Sequence, residues 1–214
     1  LIFNVETAWA DAAVGERLAA LQREHQLDDD TLLLLYTIRE AHRPASRFFP
    51  YFQLLPRELG NGAALPVHAL LELEGLPAVQ EILDVRERLR ELHERLFPML
   101  SEQCPDLFPA SMFTLEQFVW ARAIYDSRAF QIAFDGQIKN CLLPFIDFLN
   151  SRPRAHIEGR GQFDAASNSY QFRTLCDVPA NTQLYLNYGA FNNREQLMQF
   201  GFVFADNPYD NIPL

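Results

Sequence analysis

Cysteine is scarce and scattered. The 214 residues hold three, Cys104, Cys141 and Cys176, and no two form a C-x-x-C pair. That argues against a disulfide framework or a thiolate zinc site, and no metal is expected. It leads instead to the expectation of a reducing compartment, the cytoplasm or the nucleus. Positive charge is in deficit, with 18 Lys and Arg against 28 Asp and Glu and a formal net charge of −10. A protein that coats nucleic acid needs a basic stripe, so direct nucleic-acid binding is not expected. The same balance suits a partner that is itself basic, such as a Lys/Arg-rich peptide. No apolar run reaches the roughly 18 residues of a spanning helix, no leader peptide is visible, and no membrane association is expected. Internal repeats and low-complexity tracts are lacking too.

What is present is core-forming. Hydrophobic residues make up 49% of the chain and 18 residues are Phe, enough to bury a substantial core in one large domain or one domain with an insert. The chain opens at Leu1 rather than Met, and Leu1 to Val5 reads like the middle of a strand. The expectation is therefore a piece of a longer protein.

The periodicity has two regimes. From about Asp11 to Phe134 it is helical. Asp28, Asp29 and Asp30 precede four consecutive leucines, Leu32 to Leu35, which predicts an acid-capped helix buried nearly all round. Pro77 to Leu100 places Ile82, Val85, Leu89, Leu92 and Leu96 on one stripe, with Glu91 and Arg95 as a pair on the wet face. Thr114-Leu-Glu-Gln117 fits a capping box opening a third helix through Trp120, Ile124 and Arg128. The stretch Arg57 to Pro66, with Gly60, Asn61 and Gly62, reads as a loop. From about Cys141 the period becomes two. Tyr170 to Thr174 and Leu184 to Tyr188 predict strands, with a turn at Asp177 to Asn181. Asn193 to Phe200 predicts a short helix stopped by Gly201.

Two segments carry polar groups inside apolar runs. In Leu142 to Ser151, Pro144 can start a helical turn, with Phe145, Phe148 and Leu149 facing the core. Asp147 and Asn150, three apart, then share another face. Buried without partners, such groups cost roughly 1–3 kcal/mol each, so partners are expected. In Leu184 to Gly189, Tyr188 shares its strand face with Leu184 and Leu186, and its hydroxyl needs a partner at the core edge.

Taken in order, these segments resemble the C-terminal half of a SET domain. The branch most similar holds the plant Rubisco large-subunit lysine methyltransferases, which carry a helical insert within the SET fold. Ser127-Arg-Ala-Phe130 is similar to the family's S-R-x-F segment. Leu143-Pro-Phe-Ile-Asp147-Phe-Leu-Asn150 resembles its L-x-P-x-x-D-x-x-N-H segment. Tyr188-Gly189, Asn193 and Gly201-Phe202 resemble its closing run, and Asn207-Pro208 falls where the family often has N-P. The resemblance is close from Thr114 to Tyr209 and weaker before.

The resemblance implies an α+β fold, with residues 1–10 as an incomplete N-terminal SET part, 11–135 as the helical insert and 136–214 as the SET C-terminal half. It implies a protein-lysine N-methyltransferase that uses S-adenosylmethionine and acts on a lysine-bearing protein substrate, with the insert presenting part of the substrate groove. The alternatives are a histidine target on the same fold, or a degenerate SET module that only binds protein. Tyr188 takes the catalytic position. Ser127, Arg128, Asp147, Asn150, Ser151 and Phe202 take cofactor-binding positions, with Arg128 toward the carboxylate end, Asn150 on the methionine part and Phe202 stacked on adenine. Phe130, Phe200 and Tyr188 take the substrate channel.

Four departures stand out. Ser151 replaces the family's usual His, and Phe200 stands where a second channel Tyr is common. The family's glycine-rich strand, which precedes the segment resembling Leu1 to Ala8, is absent. Gly159-Arg160-Gly161 imitates that strand but sits after Asn150, and it reads as a hairpin or loop pair. The helical domain that typically follows the SET core is also absent.

Overall fold

The computed structural model describes residues 2–134, 137–157, 159, 161–164, 166–167 and 169–211. Helices dominate the first part: α1 (Val5–Trp9), α2 (Gly15–Glu24), α3 (Asp29–Ala41), α4 (Phe49–Leu54), α5 (Val67–Glu72), α6 (Pro77–Gln103) and α7 (Leu115–Arg128). Short strands follow: β1 (Ala129–Phe134), β2 (Gln137–Leu142), β3 (Asn150–Ser151), β4 (Gln162–Asp164), β5 (Ser169–Gln171) and β6 (Tyr185–Leu186), before α8 (Asn193–Phe200). The fold is α+β, as the two regimes of periodicity predict.

Helix α3 is the central rod. Asp28 caps it, its carboxylate accepting from the Thr31 amide at 2.7 Å, and Leu32 to Leu35 are all buried. Burying each leucine is worth about 1.5–3 kcal/mol, so the run anchors α1, α4 and α7 around it. Phe3 sits at the centre, stacked on Tyr36 at 5.2 Å and edge-on to Phe48 and Phe52. Helix α6 buries Ile82, Leu89, Leu96 and Leu100, while Val85 and Leu92 are half-buried. Its predicted Glu91–Arg95 pair does not form among the described residues. Arg90 instead bridges Glu87 and Glu94, because it stands midway between them on the exposed face.

Two boundaries differ from expectation. Phe3 pairs with Leu142 as an isolated bridge, but no strand runs through Val5; Leu1 lies outside the described residues. Asn4 and Thr7 form a reciprocal capping box that starts α1 at Val5. At the other end, the helical pattern stops at Arg128. Ala129 to Phe134 enters a hairpin in which Phe130 pairs with Cys141. The cause is a local period of two, with Ile132 buried between exposed Gln131 and Ala133. The Ser127–Phe130 segment therefore straddles a helix end rather than lying within the helix.

The remaining strands are brief. β4 and β5 form a hairpin, and β3 pairs with β6 in parallel, Asn150 opposite Tyr185 and Ser151 opposite Leu186. The predicted strand over Leu184 to Tyr188 thus shrinks to two residues, and Thr174 joins only by a bridge to Ile157. Gly161 opens the β4–β5 hairpin, where a Cβ would come within 2.6 Å of the Gln171 carbonyl. That supports the hairpin reading of the glycine pair; Arg160 lies outside the described residues. Helix α8 matches its prediction: Asn192 and Glu195 cap it reciprocally, and Gly201 ends it at φ +79°.

Candidate active site

The site begins where α7 ends. Arg128 is the last helical residue, a position that suits a cation beside free carbonyls. From there Nη1 donates to the Asp147 carbonyl at 2.8 Å and lies 3.5 Å from the Asp147 carboxylate. Asp147 belongs to a single 3₁₀ turn, Ile146–Phe148. Phe145 enters that turn at φ +86°, in the left-handed region that disfavours a bulky side chain. Such strain costs about 1–3 kcal/mol and clusters where function needs a fixed geometry.

The strained entry reverses the predicted faces. Phe145 is 83% exposed and Phe148 39%, whereas the Asp147 side chain is fully buried. A regular helical turn from Pro144 would have put the phenylalanines inside. The turn that forms rotates Asp147 inward instead, and Asn150 lies exposed on the β3 ladder rather than sharing Asp147's face. Tyr51 of α4 supplies the buried carboxylate with a partner, its hydroxyl donating at 2.6 Å. Burial pushes the Asp147 carboxyl above its ordinary range, while the Tyr51 hydrogen bond and the Arg128 charge pull it back. Arg128 Nε and Asp147 Oδ1 are among the buried polar atoms that have no hydrogen-bond partner among the described residues. A donor and an acceptor left open on one contacting Arg–Asp pair point to a ligand.

Tyr188 lies on the far side of the same turn. Its hydroxyl donates to the Leu149 carbonyl at 2.6 Å and its amide to Ser151 Oγ at 3.3 Å. The β3–β6 pairing brings these residues together across 34 or more positions of chain. The Phe200 ring packs tilted against Tyr188 at 4.8 Å, with Phe202 edge-on at 6.3 Å. Burial pushes the Tyr188 phenol up; the Arg128 charge opposes that shift and Asp147 adds to it. The phenol is therefore neutral through the physiological range and can donate.

Ser151, Tyr188, Phe200 and Phe202 line one narrow cleft, together with Gln196 and Phe204. Arg128 and Asp147 do not line it, but their charges act on Tyr188 at its wall, and Arg128 lies 5.9 Å from the Phe148 ring. Three predicted residues stand apart. Ser127 turns its hydroxyl back onto the Ala123 carbonyl of its own helix at 2.7 Å. Phe130 packs edge-on to Phe172 at 6.0 Å, in a separate small cluster around Ile132, Cys141 and Leu143. Asn150 makes no side-chain hydrogen bond to a described residue.

Sequence reasoning missed Tyr51 and Asn61. Asn61 is 2% exposed and donates to the Ala123 carbonyl of α7 and the Gln199 carbonyl of α8, fastening both site helices to one loop. Local spacing marks neither residue, since their partners lie far along the chain.

The fold and its similarity to known proteins place the chain among the SET-domain methyltransferases. Within that class, the chain is of the Rubisco large-subunit methyltransferase-like kind. It superposes on the crystal structure of the SET domain of LSMT bound to lysine and AdoHcy with a TM-score of 0.81 and 25% identity, covering 96% of this chain and 46% of that one. It is 35% identical over 190 residues to the ribosomal lysine N-methyltransferase set10 of Schizosaccharomyces pombe, across 86% of this chain and 33% of the relative. It is also 22% identical to the actin-histidine N-methyltransferase of Danio rerio, across 100% of this chain and 36% of the relative. No family model matches. The chain spans about a third to a half of the length of the curated relatives it matches.

Proposed function

We propose that this chain carries the methyl-transfer site of an S-adenosylmethionine-dependent protein-lysine N-methyltransferase. The observation that carries the reading is Tyr188, whose neutral hydroxyl is fixed on the Leu149 carbonyl between an aromatic cleft and a buried Arg128–Asp147 pair with one free donor and one free acceptor. The residues fit the cofactor. An α-amino acid head presents a carboxylate and an ammonium, which match the free Arg128 Nε and Asp147 Oδ1. Exposed Asn150 has amide groups available for the same head, and the Phe202 ring offers an adenine a stacking face. When bound, the cofactor supplies an electrophilic methyl on sulfur.

The protein's task is then alignment. A lysine amine must reach that methyl in line, and holding two reactants so is worth up to about 7–11 kcal/mol. Tyr188 and the Leu149 carbonyl form a polar rim where weak C–H···O contacts orient the methyl. The amine must be neutral, against a free pKa of about 10.4. The apolar wall of Phe200 and Phe202 favours that form by withholding solvation. With its own pKa raised, Tyr188 is a poor base near neutrality, so the proton leaves through water.

The substrate in this reading is a lysine-bearing protein with a basic neighbourhood, which the chain's net charge of −10 favours. A cytoplasmic or nuclear setting belongs to the same reading, supported by free, unpaired Cys104, Cys141 and Cys176. A histidine target is the second reading, favoured by the similarity to the actin-histidine enzyme. Calorimetry of S-adenosylmethionine binding to the full-length natural protein tests the proposal. Micromolar binding, weakened by Asn150→Ala and unaltered by Tyr188→Phe, is the expected result. No binding by the wild-type protein sinks the enzyme reading and leaves a SET-fold protein-binding module.

A further inference from the structure

We infer that Tyr51, a residue of the helical part, is a positioning residue that holds Asp147 and Arg128 apart for the methionine portion of the cofactor. The inference rests on the methyltransferase reading above. Tyr51 is 7% exposed, with the Phe148 ring stacked on it at 6.0 Å and the Phe52 ring tilted against it at 5.1 Å. Burial and these rings restrict its side chain, and its hydroxyl bonds one atom, Asp147 Oδ2.

That single hydrogen bond has a geometric consequence. An arginine and an aspartate left alone in a buried site favour a two-pronged pairing, in which two guanidinium N–H groups meet both carboxylate oxygens. Here the pair is one-pronged. Arg128 Nη1 approaches only Oδ2, the oxygen that Tyr51 already occupies, and spends a hydrogen bond on the Asp147 carbonyl. Nε and Oδ1 are left buried and unmatched. Unmatched buried groups are costly, so something must prevent the carboxylate from rotating to satisfy both. Tyr51 is the group placed to do so. The charged and titratable groups facing Asp147 are Arg128, Tyr51 and, at longer range, Tyr188.

Removal of the Tyr51 hydroxyl frees the carboxylate to turn and clasp Arg128 with both oxygens. The pair then satisfies itself and no longer serves an amino acid head. An ordinary packing role predicts the opposite pattern, with lower stability and equal harm to every ligand.

The test compares wild type and Tyr51→Phe, in the full-length natural protein, for binding of S-adenosylhomocysteine and of 5′-methylthioadenosine, which lacks the amino acid head. Melting temperatures without ligand are recorded alongside. The expected result is a loss of about ten-fold or more in S-adenosylhomocysteine affinity, with methylthioadenosine within two-fold and the melting temperature equal or higher. Equal loss for both ligands, or unchanged affinity for both, overturns the positioning role. Failure of the wild-type protein to bind either ligand overturns the methyltransferase reading instead, and the two failures are distinct.

Discussion

Tyr188 and Asp147 do opposite things with their buried oxygens. Tyr188 keeps its proton and donates it to a carbonyl, so its oxygen lone pairs stay available as an acceptor at the cleft. Tyr188→Phe is expected to lower kcat by about 10²-fold, the scale of a small misplacement of reacting groups, with cofactor affinity within two-fold. Because its pKa is raised above the ordinary 10.0, the pH–rate profile between pH 6 and 9 should keep its shape in that variant. A profile that loses its rising limb would make Tyr188 a base after all. Asp147 is charged at a cost. Its folded-state pKa lies above the unfolded value, so its contribution to stability is fully present below the unfolded pKa and is lost as pH rises through the folded one. Asp147→Asn keeps the shape without the charge. Its melting temperature should therefore match or exceed wild type at neutral pH, and the margin should narrow as pH falls through the carboxylate range; a margin that widens on acidification refutes this. Both residues stand out in the sequence as polar groups in apolar runs. The inward turn of Asp147 does not, because it depends on a positive φ at Phe145, a residue type that rarely adopts one.

Helix α8 was the most legible element, since its cap residues, its length and its terminal glycine are all local signals. What seats it is not local. Its C-terminal turn presses on the 60–62 loop so closely that a Cβ on Gly201 would lie 2.8 Å from the Gly60 carbonyl carbon. Asn61 then donates to the Gln199 carbonyl, one of the four that a helix leaves open at its end. Asn61→Ala removes the side-chain donor of the Gln199 carbonyl and one of the two side-chain donors of the Ala123 carbonyl, and should cost about 1–2 kcal/mol in urea unfolding. Because α8 leads directly into Phe202, the same variant should also weaken cofactor binding. A stable Asn61→Ala protein with unchanged binding would show that the loop is not what seats the helix. The helical elements α3, α6 and α7 were readable from period and caps alone. β3 and β6 were not, for a strand of two residues has no period, and only its partner makes it a strand.

At the scale of the whole molecule, charge and topology set separate behaviours. With a net charge of −10, the chain would attract the basic substrate proposed above over roughly a Debye length, about 10 Å at 0.1 M salt. KM for a Lys/Arg-rich protein substrate should therefore rise with added salt while kcat stays nearly constant, and a salt-independent KM would remove basicity from the substrate's description. The fold class was legible because the two regimes of periodicity occupy separate stretches. The site was only half legible because its supports cross between those stretches, Tyr51 to Asp147 over 96 positions and Asn61 to Gln199 over 138. Those spans also govern time. Helices of this kind form within microseconds, but a contact between residues a hundred apart must wait for the chain to close a large loop. On refolding from denaturant, helical ellipticity should return in an early phase, and the ability to hold ligand only in a later one.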